Sequence, residues 1–515
     1  MYRSRPKGTM DGDVLAFLSS IEHDQSILYY DIIGSEAHSV MLHERGVISK
    51  RELKKILQAL EAAKKNPGTI DTEGAEDIHE ALEAFVIKQA GMGAGGKMHT
   101  ARSRNDQVVL DIRMMLRDDI NALCMALVNL MDALVKKAGA SKDAVMPLYT
   151  HLQQGQLGTF SHVMLAYTDA LSRDFERVYG AFERINQSPL GACAIAGTSI
   201  DIDRRRTAAL LGFGGLVRNS LDATTSRDSF VEYVAALAIL TSTLSRMAED
   251  LIIWSTMEFG FVELDDRYSS TSSAMPQKKN PDPLELTWAK AAIVMSKLVA
   301  LLGTVKSLPS GYSRDLQDLK PQMIDASAVA TSTVKVMEGV IRTLAVDKKR
   351  MMAASSTSYA VSLDIAEQLV KKGLPFRNAH KIVGALVGVA AEKKIPLAKL
   401  DSRDFAAVLK KVKPEGPLKA NDLESIVKEM TPAQSIKLRR SMGSPNSKEQ
   451  DEMIRLARAK IASNAQARRK GRNPCKPPLT ALRKPSKGTC KPSRAPVSAL
   501  FPFFTAVFQT GKVRN

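Results

Sequence analysis

The 515-residue sequence is poor in cysteine and aromatic residues, and it has no long run of apolar residues. Its four cysteines give no disulfide framework, and no group of Cys, His, Asp and Glu has the spacing of a metal site. No run of 18 or more apolar residues is present to cross a membrane, and the N-terminal segment lacks the apolar core of a signal peptide. We therefore expect a cytoplasmic protein with no metal.

Aromatic side chains make up only 5% of the residues, whereas Ala, Leu, Met, Lys and Glu fill long stretches without Pro or Gly. These side chains lose little rotamer freedom in a helix, so the composition favours helices over strands. A hydrophobic content of 44% can build a sizeable core. The composition therefore predicts an all-α protein.

The net charge of +18 is concentrated at the C-terminal end of the chain. Residues 464–515 contain twelve Lys or Arg and no Asp or Glu, so subtracting them from 73 leaves 61 basic against 55 acidic residues. A body with a charge of only +6 does not indicate a nucleic-acid-binding protein. The end segment is also rich in Pro, Ser and Gly, and we expect it to be a disordered tail that does not bind nucleic acid.

Long helices are predicted in the middle of the sequence. Apolar residues recur every three or four positions through 109–134 and again through 231–254, which is typical of amphipathic helices. The segment 283–309 is apolar on most sides and is therefore expected inside a bundle. Long helices with such wide apolar faces suggest association between subunits.

Changes in the length of the predicted helical segments along the sequence indicate three helical domains and a tail. Short helical patterns with turns give way to long periodic segments near residue 102, and the segments shorten again near residue 354. We predict an N-terminal helical domain (1–102), a central helical bundle (103–353), a small C-terminal helical domain (354–463) and the tail (464–515).

A hydroxyl-rich loop, residues 268–282, interrupts the predicted central bundle. Five consecutive hydroxyl residues, 269–273, favour turns over helix. Lys278 and Asn280 follow closely, so the loop could bring a proton-transfer group and several hydrogen-bond donors to a carboxylate of a substrate. From spacing alone, a basic surface linker explains the segment equally well.

The letters of this loop carry a resemblance to a known family. Residues 275–282, MPQKKNPD, resemble the MPxKxNP signature of the fumarase and aspartase superfamily, and this version is similar to that of the argininosuccinate lyases. The blocks HTARSRNDQV at 99–108 and YTHLQ at 149–153 resemble two further blocks of that family. The resemblance runs in order from about residue 20 to about residue 446 and leaves the tail outside it. A single short match can arise by chance, but several in order do not.

The resemblance implies the reversible β-elimination of argininosuccinate to L-arginine and fumarate, in arginine biosynthesis. Removing a proton beside a carboxylate builds negative charge on that group, so fixed cations and N–H donors aimed there stabilise the transition state. The residues implied in catalysis are Ser272, His151, Lys278, Asn280 and Glu285. Ser272 is the favoured base and His151 serves the leaving nitrogen, with Glu285 orienting the imidazole, but the direction of the first two roles stays open.

The resemblance also implies a set of substrate contacts. Argininosuccinate carries three carboxylates, which call for Arg, Lys and amide donors, and an amino group that suits a partner such as Asp. The implied contacts are Ser20, Asp24, Ser103, Arg104, Asn105, Thr150, Tyr312, Gln317 and Lys320. Asp77 and His79 are also similar to family positions, although a role on a helix surface explains them equally well.

The resemblance further implies a homotetramer in which the long helices form a twenty-helix core and each active site collects segments from several subunits. No metal or organic cofactor is implied, since acid–base chemistry suffices. The nearest rival is adenylosuccinate lyase, which shares the loop, but the RSRNDQ letters disfavour it. A non-catalytic relative such as a lens crystallin would be expected to lack the catalytic histidine, and His151 is present.

Overall fold

A computed structural model describes residues 10–471 of the protein. The α-helices in this part of the chain are α1 (Gly12–Leu18), α2 (Ile21–Asp24), α3 (Leu28–Glu44), α4 (Lys50–Lys65), α5 (Ile78–Ala90), α6 (Met92–Gly95), α7 (Arg104–Ala140), α8 (Phe160–Ile185), α9 (Arg204–Leu210), α10 (Ser220–Thr225), α11 (Asp228–Ser255), α12 (Asp282–Val305), α13 (Leu319–Thr343), α14 (Lys348–Thr357), α15 (Ser362–Lys371), α16 (Phe376–Glu392), α17 (Ser402–Val412), α18 (Ala420–Glu429), α19 (Pro432–Leu438) and α20 (Ser447–Gly471). The all-α prediction is confirmed.

The strands are short and pair two by two. They are β1 (Val145–Thr150), β2 (Gln153–Thr159), β3 (Gln187–Ser188), β4 (Gly215–Leu216), β5 (Val262–Glu263), β6 (Ser270–Thr271), β7 (Lys279–Asn280) and β8 (Ala345–Val346). β1 with β2, β5 with β8 and β6 with β7 are antiparallel pairs, and β3 with β4 is parallel. Two of these pairs carry predicted site residues.

The central bundle is built on α7, a helix of 37 residues. It begins with a capping box in which Ser103 and Asp106 satisfy each other's backbone N–H groups. The apolar stripe predicted for 109–134 is fully buried, because α8, α13 and α20 pack along the helix. The N-terminal helix α3 also packs on α7, so one hydrophobic core runs through the N-terminal and central parts of the chain. The predicted long helices at 228–258 and 283–309 are present as α11 and α12.

A second, smaller core lies among the helices of residues 360–436. Val145 of β1 and Leu157 of β2 are buried in it, so the base of this hairpin is held by the C-terminal helices. The proposed limits of the three domains stay predictions, although this separate core agrees with a small C-terminal unit.

The helix α20 crosses back from the second core to the first. It packs on α7 and α8, and its buried Ile454 and Ala457 belong to the larger core rather than to the core of residues 360–436. Asn464 is buried and Tyr179 donates a hydrogen bond to the carbonyl of Ala467 at 2.8 Å. The prediction that a disordered tail begins at residue 464 was therefore wrong for residues 464–471, and the rest of that tail lies outside the described residues.

The helix α12 differs from its prediction as a buried helix. Within the single chain only a few of its residues are covered, and Leu286, Val299 and Leu302 are 58%, 69% and 49% exposed. An apolar helix gives the same sequence pattern whether it packs within its own chain or against another one. Both α11 and α12 are long and apolar enough to cross a membrane by composition alone, a test that core helices of other proteins also pass.

Candidate active site

A polar cavity of about 130 Å³ opens where the start of α7 meets the start of α5 and the segment before α13. Its lining includes both predicted and unpredicted residues, namely Ser20, Asp77, His79, Arg104, Asn105, Val108, Ile112, Arg227, Tyr312, Arg314, Leu316, Gln317 and Lys320. Six of the predicted substrate contacts are thus brought together from distant parts of the sequence, together with Asp77 and His79. We call this cavity the pocket.

Asp24 stands directly behind the pocket and is completely buried. Its carboxylate accepts hydrogen bonds from the Ser20 hydroxyl at 2.7 Å, from the backbone N–H of Ile78 at 3.2 Å and from the Lys320 ammonium. A buried carboxylate needs such partners, because an unpaired charge in the interior is strongly destabilising. Asp24 therefore fixes Ser20 and Lys320 and does not itself line the pocket.

The first turn of α7 places Arg104 and Asn105 at the pocket. The Arg104 guanidinium forms ion pairs with Asp77 at 3.1 Å and with Glu80 at 3.2 Å, while the Asn105 side-chain amide donates to the carbonyl of Ala194 at 2.9 Å. Ser103 does not line the pocket, since its hydroxyl accepts the backbone N–H of Asn105 at the helix cap. The cap thus sets the direction in which the next two side chains leave the helix.

A buried carboxylate locks this helix start to a neighbouring loop. Asp106 accepts the backbone N–H groups of Gly191 at 2.9 Å and Cys193 at 2.8 Å, in addition to that of Ser103. Burial raises the pKa of Asp106 to about 6 despite these donors. Asp106 therefore fixes the start of α7, which forms part of the pocket wall, to the loop at 191–193.

Two cationic residues of the pocket were not predicted from the sequence. Arg227, directly before α11, is buried, and burial lowers the pKa of its guanidinium to about 10, so it stays protonated. Arg314 pairs with Glu76 at 3.2 Å and donates to the carbonyl of Leu18 at 2.9 Å. The position of Arg314 between the predicted Tyr312 and Gln317 was the available signal, whereas Arg227 follows only from tertiary packing.

Thr150 and His151 lie away from the pocket, at the tip of the hairpin formed by β1 and β2. His151 and Leu152 both have positive φ, at 54° and 58°, in the two-residue turn between the strands. Positive φ at both positions is the backbone of a type I′ turn, which non-glycine residues adopt at some cost in strain. Both side chains are exposed, so the tip projects the imidazole away from the chain that carries it.

The hydroxyl-rich loop is a second hairpin, with β6 and β7 as its strands. The Ser272 hydroxyl oxygen accepts the backbone N–H groups of Ala274 at 3.3 Å and Met275 at 3.0 Å. The Ser272 N–H donates to the carbonyl of Lys278 at 3.3 Å, and the Lys278 side chain is exposed. The loop therefore holds the serine oxygen against two N–H donors at its tip.

The remaining predicted catalytic residues lie at the end of this loop and at the start of α12. The Asn280 side chain donates to the Ser270 hydroxyl at 3.5 Å, and that hydroxyl in turn donates to Asp282. Glu285 is exposed in the first turn of α12. Among residues 10–471, no hydrogen bond or ion pair joins His151 to Ser272 or Glu285, or joins any of the three to the pocket. The predicted site residues thus occupy three separate places on one chain.

Comparisons with known proteins show the family of the chain. A family model described as "Lyase" matches residues 7–296, and one described as "Argininosuccinate lyase C-terminal" matches residues 359–428. The argininosuccinate lyase of Nitrosopumilus maritimus is 50% identical over 455 residues, covering 88% of this chain and 93% of the relative. That of Methanothrix thermoacetophila is 42% identical over 469 residues, covering 91% of this chain and 94% of the relative.

Solved structures share the fold. A crystal structure of EDDS lyase in complex with formate has a TM-score of 0.79 and 32% identity, covering 90% of this chain and 94% of that one. A fumarate lyase from Mesorhizobium sp. BNC1 has a TM-score of 0.68 at 19% identity, covering 88% and 99%, which shows likeness of fold alone. With two family models on its N-terminal and C-terminal parts and close relatives along nearly its whole length, the chain belongs to the argininosuccinate lyase family.

Proposed function

We propose that the protein is a carbon–nitrogen lyase that catalyses the reversible β-elimination of argininosuccinate to L-arginine and fumarate, in arginine biosynthesis. The observation that carries the proposal is the pocket, in which Arg104, Arg227 and Lys320 line one small cavity. Cations confined in a partly dry cavity suit a substrate with three carboxylates, because charge-assisted hydrogen bonds are strongest where water is scarce. The 50% identity to an argininosuccinate lyase over most of the chain supports the choice of substrate.

We assign the role of base to Ser272. A serine hydroxyl is a weak base unless its alkoxide is stabilised, and the backbone N–H groups of Ala274 and Met275 already point at its oxygen. Preorganised donors of this kind contribute roughly 3 kcal/mol each to the stabilisation of an oxyanion in a closed site. Lys278 and Asn280, on the same hairpin, stabilise the charge that develops on the substrate carboxylate.

His151 then serves the departing guanidino nitrogen, either directly or through water, and Glu285 orients and charges the imidazole. The exchange of the first two roles, with His151 as base and Ser272 as acid, remains the alternative. Histidine is suited to either direction of proton transfer near neutral pH. In the pocket, Ser20, Asn105, Tyr312, Gln317 and Lys320 hold the substrate together with Arg104, and Thr150 reaches it from the hairpin tip.

The separation of the three groups supports a homotetramer with shared active sites. If different chains supply them, a base on one hairpin and an imidazole on another can meet at one substrate. The exposed apolar face of α12 supplies a surface for this association, with Leu286, Trp288, Met295 and Val299 among its residues. Large exposed apolar patches mark interaction sites. We propose that neighbouring subunits, rather than a membrane, cover this face, and that the protein is cytoplasmic.

The proposal is tested by the release of fumarate. Purified protein supplied with argininosuccinate is expected to produce the ultraviolet absorbance of fumarate, and a supply of arginine with fumarate should reverse the reaction. EDDS and adenylosuccinate, offered separately, serve as the competing substrates, the first because EDDS lyase is similar in structure. Turnover of either one with none of argininosuccinate would overturn the assignment.

A further inference from the structure

A buried cluster of three ionisable side chains lies against the wall of the pocket. His79 is the second residue of α5, and its Nδ1 atom lies 3.0 Å from Asp31 of α3 and 3.6 Å from Asp111 of α7. The three residues are 4%, 0% and 0% exposed. His79 also lines the pocket, and its Nε2 atom has no hydrogen-bond partner within residues 10–471. The Nδ1 atom is thus held by carboxylates, while the buried Nε2 atom has no partner within residues 10–471.

The carboxylate of Asp31 is fixed in place by further donors. Gln107 donates to its Oδ1 atom, and the Ser35 hydroxyl donates to the same atom at 3.4 Å. Arg102 donates to the Ser35 hydroxyl at 3.0 Å, so its guanidinium is linked to the Asp31 carboxylate through Ser35. The Oδ2 atom of the Asp31 carboxylate accepts a hydrogen bond from His79, so the Nδ1 atom carries a hydrogen. Whether the Nε2 atom also carries one then depends on the charge of the ring.

The charge of the ring decides what the pocket offers to an anion. A neutral ring with hydrogen on Nδ1 presents a lone pair at Nε2, which repels a carboxylate, whereas an imidazolium presents an N–H donor there. Burial alone lowers the pKa of His79, but Asp31, followed by Asp77 and Asp111, outweighs burial and raises the pKa to about 9. The ring is therefore an imidazolium at neutral pH.

A metal ion is the other occupant that such a cluster suggests, since two carboxylates and a histidine could ligate one. Two features favour a protonated His79 ring over a bound metal ion. The cations Arg102 and Lys320 act on the cluster and would repel an ion. Burial and the nearby Asp31 carboxylate also raise the pKa of Asp111 well above its ordinary value, which makes it a weaker metal ligand than an ordinary carboxylate.

We propose that Asp31 is a positioning residue that keeps His79 protonated and directs its Nε2–H into the pocket, where the imidazolium binds a carboxylate of the substrate. The proposal rests on the proposed function for the identity of the substrate, but not for the state of the ring. It gives His79 a part in substrate binding and leaves the proton transfers to the two hairpins. Argininosuccinate has three carboxylates, so the imidazolium takes one while the arginines and Lys320 take the others.

The titratable and charged groups around His79 define the expected pH dependence of KM. They are Asp31, Asp77, Asp111, Arg102, His99 and Lys320. The folded-state pKa lies above the ordinary value of 6.5, so the contribution of the charged ring is complete below pH 6.5 and is lost as the pH rises through about 9. We expect the KM of the wild-type protein to be constant below pH 8 and to rise above pH 9, with kcat following its own, separate profile.

The test removes the charge of the positioning residue without changing its shape. Asp31→Asn is expected to raise KM about tenfold at pH 7.5, the effect of losing one charge-assisted hydrogen bond, and to change kcat less than twofold. His79→Gln should raise KM equally and abolish the rise above pH 9, and the double variant should add nothing further. Asp174→Asn, in which a buried carboxylate on α8 is changed, is the control for a general effect of burying an amide and should leave KM unchanged.

A second measurement separates this proposal from the proposed function. Protein labelled with nitrogen-15 in histidine is titrated by NMR, and the His79 signal is identified by its loss in His79→Gln. The wild-type ring should titrate near pH 9, and in Asp31→Asn at least one unit lower. Titration at or below 6.5 in the wild type, additive KM effects, or a shift of the signal by added zinc would each overturn the proposal. If no fumarate forms from argininosuccinate, the assigned substrate is wrong while the titration still decides the state of the ring.

Discussion

The pocket and the two hairpins differ in how their polar residues are held. In the pocket, Ser20 and Lys320 are buried, at 5% and 3% exposed, and are bonded to the same carboxylate. At the hairpins, His151 and Lys278 are exposed and have no ion-pair partner within residues 10–471. The difference indicates that the pocket is held in place by contacts within one chain, whereas His151 and Lys278 have no such support among residues 10–471.

The difference follows from the elements that carry each set of residues. The pocket residues Arg104, Arg227 and Lys320 stand at the starts of long helices that share one core, so their positions are fixed by packing. The serine hairpin has strands of only two residues each, with few buried apolar contacts. Elements of that kind open locally at low free energy and are the ones that usually move when a ligand binds.

Replacing the serine of the loop gives the largest expected effect and isolates the reactive half. Ser272→Ala should lower kcat by at least about 10³-fold, because the group that takes the proton is lost, with little change in KM or in unfolding temperature. Ser273→Ala, at the exposed neighbouring position, is the matched control and should retain wild-type turnover. A Ser272→Ala protein within tenfold of the wild-type kcat would remove the serine from its role.

Replacing the lysine of the pocket should instead damage the fold as well as binding. Lys320→Met leaves the Asp24 carboxylate buried without its cation, which is expected to lower the free energy of unfolding by about 3 kcal/mol. Lys297→Met breaks a surface pair with Asp325 and should cost less than about 1 kcal/mol. Urea unfolding of the two variants makes the comparison. Equal small losses in the free energy of unfolding would mean that the buried pair of Lys320 and Asp24 does not hold the pocket together.

The smallest expected effect concerns the exposed apolar face of α12. Val299→Ser on α12 removes a methyl-rich side chain that is 69% exposed in the single chain. If a neighbouring subunit covers it, association should weaken by about 1–2 kcal/mol per buried copy. Met442→Ser, at a 94% exposed position outside α12, is the control. Sedimentation velocity over a dilution series checks the result, and identical profiles for both variants would place the interface elsewhere.

Much of the fold followed from periodicity, because a stripe of apolar residues three or four apart has few alternatives to a helix. The start of α7 at Arg104 lies close to the predicted domain boundary at residues 102–103. The exposure of α12 within the single chain was not predictable, because sequence pattern does not distinguish an apolar helix packed in its own chain from one left uncovered there. The return of α20 to the main core depends on tertiary packing for the same reason.

The site was predictable in membership more than in arrangement. Resemblance to the family supplied most of the residues that line the pocket, but it did not separate those that line it from Asp24 and Ser103, which hold their neighbours in place. Arg227 escaped notice because nothing near it in sequence marks a buried guanidinium. The paired N–H donors at Ser272 depend on the turn that the loop adopts, which its composition did not specify.

The anchoring of the β1 and β2 hairpin has a consequence for sequence variation. Val145 and Leu157, at its base, are buried among the helices of residues 360–436, while His151 stands at its tip. The packing of these helices therefore sets the position and orientation of the hairpin, and with it those of the His151 imidazole. A change of packing there, such as one at Leu386 or Phe405, is expected to appear in enzyme assays as a defect in proton delivery, although the altered residue never meets the substrate.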